Sequence, residues 1–482
     1  MHKSKVKPAR RLGALALAAG LLAGCGSMAP PLRMPPLPVA DRYPADAPAV
    51  EGAAAPGLAW DTYFTDPALR RLIGHALACN RDLRQSILRV REAAAETALQ
   101  HAQRVPAADA SLGAQRTRIP PIASGLGRSV LTDEFQAQLG VRWELDMWGR
   151  LASLDEAATE AWLASDANRR ALTASLVAQV AEVYYGLREL DERTALAEAA
   201  LASRNESLRI FRRRYEVGAT TRLDLTQVET LQTQAEMLLL TLRQEHARLG
   251  HALALLTGAD ALPAPAPLWF DETFVPLESG MPSALLLARP DIAAAEHRLR
   301  AANANIGAAR AAFFPRIALT GARGGASTAL GALFDAQNAA WSAGASLAQP
   351  LVDGGRNRAA LARSEVERDI ALAAYEKTVQ QAFREVADAL TVRATVRRQV
   401  EVGARALAAQ RERARLAKLR YERGAVTYLD VLDAERDLLQ VEQQQVQNRR
   451  ALLSSQVALY LALGGGGGAA AAPETCEPGM ER

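Results

Sequence analysis

The chain predicts a mainly α fold with a small membrane β part, built twice from a helix, a β-hairpin, a long helix and a return helix. Three observations carry this expectation. First, Arg420-Tyr421-Glu422-Arg423-Gly424-Ala425-Val426-Thr427-Tyr428-Leu429-Asp430 repeats Arg214-Tyr215-Glu216-Val217-Gly218-Ala219-Thr220-Thr221-Arg222-Leu223-Asp224 at a constant offset of 206. An internal repeat governs how everything else is read. Second, each copy follows a Pro-free stretch, residues 149–216 and 355–422, with apolar residues at helical spacing, such as Leu176, Val180, Val183, Leu187 and Leu190. Third, each long helix is preceded by segments whose period is two rather than 3.6.

Residues 1–24 hold Lys3, Lys5, Lys7, Arg10 and Arg11, then an apolar run from Leu12 to Ala23. This is a secretory signal, too short to span a bilayer. Leu22-Ala23-Gly24-Cys25 has the form of a lipobox, so Cys25 is the expected lipidation site and its lipid the only covalent addition; no cofactor is implied. Resemblance to bacterial lipoproteins implies outer-membrane sorting, since Gly26 rather than Asp follows the Cys. Residues 25–59, with Pro30, Pro31, Pro35, Pro36, Pro38, Pro44, Pro48 and Pro56, read as a lipidated tether.

The 57 basic residues exceed the 53 acidic ones only because five basic residues lie in the signal. The mature chain is near neutral and has no basic-aromatic patch, which argues against a nucleic-acid partner. Of the other cysteines, Cys79 and Cys476, a bridge is permitted in an oxidising compartment. The simpler reading is one buried thiol and one loose one.

The first repeat is expected over 60–262. Asp66-Pro67 starts a helix running to about Gln103 with a break near Asn80 and Asp82. A hairpin follows over 107–146: Phe135, Ala137, Leu139, Val141, Trp143 and Leu145 share one face, while Gln136, Gln138, Arg142, Glu144 and Asp146 share the other. The long helix 149–216, roughly 100 Å at ~1.5 Å per residue, turns at Gly218 and returns from Thr221. Residues 263–282 form a Pro-rich linker. The second repeat, 283–463, restarts with Arg289-Pro290-Asp291-Ile292, a hairpin over 316–350, the long helix 355–422 and a return helix; 464–482 is a flexible tail. Asp82 and Pro106 match Asp291 and Pro315 at an offset of 209, so the second hairpin is three residues shorter. The difference is confined to the strand-loop-strand region, where surface loops tolerate insertions.

Four amphipathic strands cannot close a barrel, which starts at ~8 strands, and an open edge in lipid leaves backbone groups unpaired. Several chains must therefore assemble. The duplicated plan, the Arg-Tyr-x-x-Gly-x-x-x-x-Leu-Asp motif, Leu287-Ala288-Arg289-Pro290-Asp291-Ile292, Phe314-Pro315 and the lipobox together resemble the TolC family, in its lipoprotein branch of outer-membrane efflux factors. The resemblance implies a homotrimer with a 12-strand β-barrel continuous with a 12-helix periplasmic α-barrel. It also implies a non-enzymatic exit duct for small toxic molecules, with a periplasmic adaptor protein, an inner-membrane RND-type pump and outer-membrane lipid as partners.

The turns Arg214, Tyr215, Gly218, Asp224 and Arg420, Tyr421, Gly424 would meet the adaptor at the periplasmic tip, and Leu429, Asp430 and Asp433 occupy the positions of the family's gate. Asp430 and Asp433 share a helix face, and rings of such carboxylates raise one another's pKa. Asp224 and Asp430 equally fit capping boxes begun by Thr221 and Thr427. Asp433 has Gln227 as its first-copy counterpart and fits no cap. Arg420 and Tyr421 are expected either to lock the tip by hydrogen bonds or to pack within the turn.

Six scattered histidines, no phosphate-cradling Gly loop and no Gly-x-Ser-x-Gly argue against an enzyme. Two other readings remain open: a channel for type I protein secretion, and a lipid-anchored coiled-coil spacer that spans no membrane.

Overall fold

A computed structural model describes residues 28–40, 53–54, 58–258, 274–275, 277–278 and 289–466. The signal peptide, Cys25, most of the 263–282 linker, residues 467–482 and Cys476 lie outside the described residues. The chain divides into two units. One comprises Met1–Pro36, described from residue 28, with Arg89–Ser165 and Ala294–Tyr375; the other comprises Leu37–Leu88, Asp166–Ala293 and Glu376–Arg482. Each unit draws on both sequence repeats, so the repeats are duplicated in sequence without being separate bodies in space.

The first unit contains the sheet. β1 (Ala107–Ile119), β2 (Val130–Leu145), β3 (Arg316–Ser327) and β4 (Ala339–Ala348) pair in that order, all antiparallel. The central pairing of β2 with β3, from Phe135 opposite Ser327 to Leu145 opposite Ile317, joins the two repeats. Directly opposed residues share a face. Leu112 therefore lies beside Ala137, Ala110 beside Leu139, Leu319 beside Trp143, and Leu347 beside Ile317. This apolar face is uncovered in one protomer: Leu112 is 82% exposed and Trp341 79%. Among the described residues no helix is long and apolar enough to cross a membrane.

The hairpin equivalence extends to single bonds. The Trp143 indole N–H donates to the Arg104 carbonyl at 3.0 Å, and the Gln349 amide donates to the Phe313 carbonyl at 2.9 Å. These pairs match at the offsets of 206 and 209, so each second strand is tied to the end of the helix before its hairpin. The strands of the second repeat are seven residues shorter in total, offset by one more residue in the connection and three more before the long helix, which leaves the net difference of three. The connections, residues 120–129 and 328–338, are nearly equal in length, whereas β1 and β2 have 13 and 16 residues against 12 and 10 in β3 and β4. The difference thus lies in the strand-loop-strand region, with shorter strands in the second repeat.

The second unit is helical, and the first also contains helical residues 89–102, 150–165, 294–311 and 356–375. α1 (Pro67–Cys79) is capped by Asp66, whose carboxylate accepts from the Ala68 and Leu69 amides. It breaks at Asn80 before α2 (Arg81–Ala102). α3 (Arg150–Glu216) and α4 (Arg222–Thr257) belong to the first repeat; after α5 (Pro290–Ala311), α6 (Arg356–Glu422) and α7 (Tyr428–Ala462) repeat them. Tyr63 stacks on Tyr460 at 4.1 Å and donates to the Gln456 carbonyl, while Tyr460 donates to the Leu58 carbonyl. The last helix is thereby closed onto the start of the folded body. Cys79, 4% exposed, is disulfide-bonded, which corrects the reading of it as a free buried thiol; its partner lies outside the described residues.

The Arg-Pro-Asp motif has a structural purpose. Buried Arg289 donates to the Ala462 carbonyl at 2.9 Å, forks onto the Asp291 carboxylate at 3.1 and 2.7 Å, and reaches Glu385 at 2.7 Å. Burial pulls its pKa down, but the two carboxylates more than offset this and hold it above the usual arginine value. At the equivalent point of the first repeat, Asn80 donates to the Leu256 carbonyl at 3.0 Å and caps the Leu83 amide at 2.9 Å. Both tie a helix start to the end of a return helix, one with a buried charge network and one with a neutral amide. Arg289→Ala strands a carbonyl and two half-buried carboxylates, an expected cost of about 2–3 kcal/mol. Asn80→Ala loses a cap and a tie, about 1–2 kcal/mol. Thermal unfolding in detergent should rank Arg289→Ala below Asn80→Ala, and both below the exposed control Arg363→Ala.

Candidate functional site at the repeated helical turns

The two turns are built identically. Gly218 and Gly424 adopt φ of 74° and 71°, a left-handed conformation that glycine alone takes without penalty. The following amide reaches back five residues, Ala219 to the Arg214 carbonyl at 2.7 Å and Ala425 to the Arg420 carbonyl at 2.9 Å, ending each long helix. Each return helix then starts with a cap. The Asp224 carboxylate accepts from the Thr221 amide at 3.1 Å and hydroxyl at 2.7 Å; Asp430 accepts from the Thr427 amide at 3.0 Å and hydroxyl at 2.7 Å. The threonine hydroxyl and amide hold both carboxyls below the usual aspartate range, and at Asp430 the Arg420 charge adds to this. The capping reading of Asp430 is therefore realised. In the protomer its pKa moves down, against the rise expected from rings of like charge.

The halves differ in what these frames carry. Tyr428, at the position of Arg222, shares a 2.6 Å hydrogen bond with the Ser207 hydroxyl and packs on Phe211 and Tyr421 at 4.8 and 4.9 Å. Tyr421 accepts a 2.7 Å hydrogen bond from the Arg214 guanidinium, which also lies over the Phe211 ring. Deeper along the helices, buried Arg204 pairs with Glu435 at 3.1 Å. Leu208, Phe211, Leu225, Val228 and Leu432 form the apolar cluster beneath. The second turn is thus latched onto the first-repeat long helix. Of the two alternatives for this pair, Tyr421 makes a hydrogen bond, to Arg214, while the Arg420 carbonyl closes its own turn. Tyr215 makes no reciprocal latch and lies under Arg222 of its own turn, 5.7 Å from ring centre to guanidinium.

Asp433 pairs with Arg436 at 3.3 Å, one turn on, and both side chains remain half exposed; Asp437 binds Arg413 at 2.6 Å. Leu429 is 42% exposed. Leu429, Asp430 and Asp433 therefore line one exposed side of the first turn of α7. Tyr428, Arg204 and Glu435 were not singled out by sequence. The replacement of Arg222 by Tyr428 between otherwise matching copies was the available signal.

An open amphipathic sheet, two duplicated long helices and an asymmetric pair of turns define an outer-membrane channel component. The chain belongs to the outer membrane efflux protein family, whose model matches residues 72–259 and 281–465. It is 43% identical over 440 residues to the outer membrane protein OprJ of Pseudomonas aeruginosa, covering 89% of this chain and 90% of that one. It is 39% identical over 454 residues to the toluene efflux pump outer membrane protein TtgF of Pseudomonas putida, covering 92% and 94%. Among solved structures, a membrane protein from Pseudomonas aeruginosa matches with TM-score 0.85 and 39% identity over 91% of this chain and all of that one. The open state of the Neisseria gonorrhoeae MtrE outer membrane channel matches with TM-score 0.84 and 34% identity over 92% and 98%. The TolC-type resemblance read from the motifs is thereby confirmed. The protein is an outer-membrane efflux channel and no enzyme, and the spacer reading falls away.

Because the folded pKa values of Asp224 and Asp430 are depressed, their caps contribute above the ordinary aspartate pKa, ~4, and are lost as pH falls through the folded values. A spin label at Ala425 should keep constant mobility from pH 5 to 8 and loosen only below about pH 4. Loosening near pH 6 would mean that carboxylate repulsion overrides the caps.

Proposed function

We propose that three copies form a closed channel, each supplying four strands to a 12-strand barrel and four helices to a periplasmic duct. The observation that carries this is the sheet with an uncovered apolar face and two unpaired outer edges on β1 and β4. Closure by neighbouring copies satisfies both edges, which hydrocarbon requires. Cys25 carries the lipid anchor. The repeated turns face a periplasmic adaptor, which couples the duct to an inner-membrane RND-type pump. The cargo is small and toxic, in keeping with relatives named as toluene and antibiotic efflux components.

The gate lies at the start of α7. Leu429 narrows the opening, and Asp433, half exposed and absent from the first copy, sets the charge of the constriction. Asp430 mainly caps the helix. The Arg214–Tyr421 and Ser207–Tyr428 bonds hold the end of α6 and the start of α7 closed, and opening requires breaking them while the apolar cluster beneath persists. Each neutral bond is worth only about 1 kcal/mol and the charged one about 2 kcal/mol, so adaptor binding can supply the difference.

In planar bilayers, Tyr421→Phe with Tyr428→Phe should raise the closed-state conductance several-fold without loss of the heat-modifiable oligomer. Asp433→Ala should weaken cation preference. Unchanged conductance in the first variant and unchanged selectivity in the second would remove these residues from the gate.

A further inference from the structure

The N-terminal segment lies along α5. The Asn303 side-chain amide donates to the Pro30 carbonyl at 2.9 Å, and the Arg310 guanidinium donates to the Met28 carbonyl at 3.4 Å. Between them stands Gly307. A Cβ there would lie 2.8 Å from the Ala29 backbone nitrogen and 2.6 Å from the Ser153 hydroxyl, so the close approach needs glycine. The three residues are spaced i, i+4 and i+7 and share one helix face. Both hydrogen bonds go to backbone carbonyls, so this face holds an extended chain by its main chain. Asn303 is 8% exposed.

The first repeat contains the same helix without these features. At the offset of 209, Asn303, Gly307 and Arg310 correspond to Ala94, Ala98 and His101 of α2. Three changes on one face, in only one copy, coincide with the place where the N-terminal segment runs. Arg310 also pairs with Glu365 of α6 at 3.7 Å, but helix packing alone does not call for a buried amide bonded to Pro30 and a missing Cβ against Ala29.

We propose that this face of α5 is a seat for the N-terminal segment and fixes where the lipid anchor enters the membrane. The inference rests on the reading of Cys25 as the lipid-bearing residue. Cys25 precedes Met28 by three residues, a reach of at most ~10 Å at ~3.3–3.6 Å per residue. α5 ends at Ala311, beside Arg310, and β3 begins at Arg316. The acyl chains therefore meet the inner leaflet of the outer membrane beside the junction where helix gives way to strand. An unseated tether of residues 25–59 would let the anchor roam over roughly 30 Å. The seat makes the anchor a fixed point, setting the height of the sheet in the bilayer from one side.

The test uses the full-length protein in opened outer-membrane fragments, whose periplasmic face is accessible, with trypsin cleavage after exposed Arg33, three residues past Pro30, as the readout. Gly307→Leu should speed this cleavage at least tenfold. Asn303→Ala, which introduces no bulk and serves if Gly307→Leu fails to fold, should speed it about threefold to tenfold. The acyl mass on the Cys25 peptide should be unchanged in both. Equal cleavage rates in wild type and Asn303→Ala overturn the seat. A wild-type Cys25 peptide without acyl mass overturns the anchor reading, and with it the membrane placement, while the cleavage rates still report on the seat. Spin labels at Ser27 and Thr320 give the placement directly: a narrow distance distribution in wild type and a broad one in Gly307→Leu are expected, and a broad one in wild type contradicts the fixed anchor.

Discussion

The structure depends on the unpaired backbone at the two outer edges of its sheet. β1 and β4 each have a neighbour on one side only, and the shared face carries Leu112, Leu139, Trp341 and Leu347 into solvent. In water such an edge invites aggregation; in hydrocarbon each unpaired group costs several kcal/mol. Closure with further copies is the arrangement that removes both penalties at once.

Duplication supplies the frame, and small departures from it supply the function. Turn glycines, capping aspartates, hairpin ties and return-helix ties recur at fixed offsets, so one local solution is used twice. Tyr428 for Arg222, Asp433 for Gln227, Arg289 for Asn80 and Gly307 for Ala98 are departures. The first gives the second repeat its hydrogen bond to Ser207, and the second places a carboxylate on the exposed side of its return helix. The third anchors the same repeat with a buried charge network where the first repeat has an amide. The fourth makes room for the N-terminal segment.

Much of this was legible in the sequence, for physical reasons. Period-two and period-3.6 patterns are local, and the offsets of 206 and 209 placed both hairpins and all four long helical segments to within a few residues. The capping boxes were legible because Thr-x-x-Asp acts within one turn. What could not be read was which side chains meet across distant segments. Arg214 finding Tyr421, Ser207 finding Tyr428 and Arg204 finding Glu435 each join residues more than 200 positions apart. The tether shows the same limit: its Pro-rich composition indicated extended chain, but the bonds from Asn303 to Pro30 and from Arg310 to Met28 join residues more than 270 positions apart.

The claim on which the rest hangs is closure of the sheet by three copies. Native mass spectrometry of the protein released from outer membranes in mild detergent measures this directly. The account predicts a single dominant species of three chains that resists dilution. A monomer as the dominant species, or an even-numbered assembly, would contradict it.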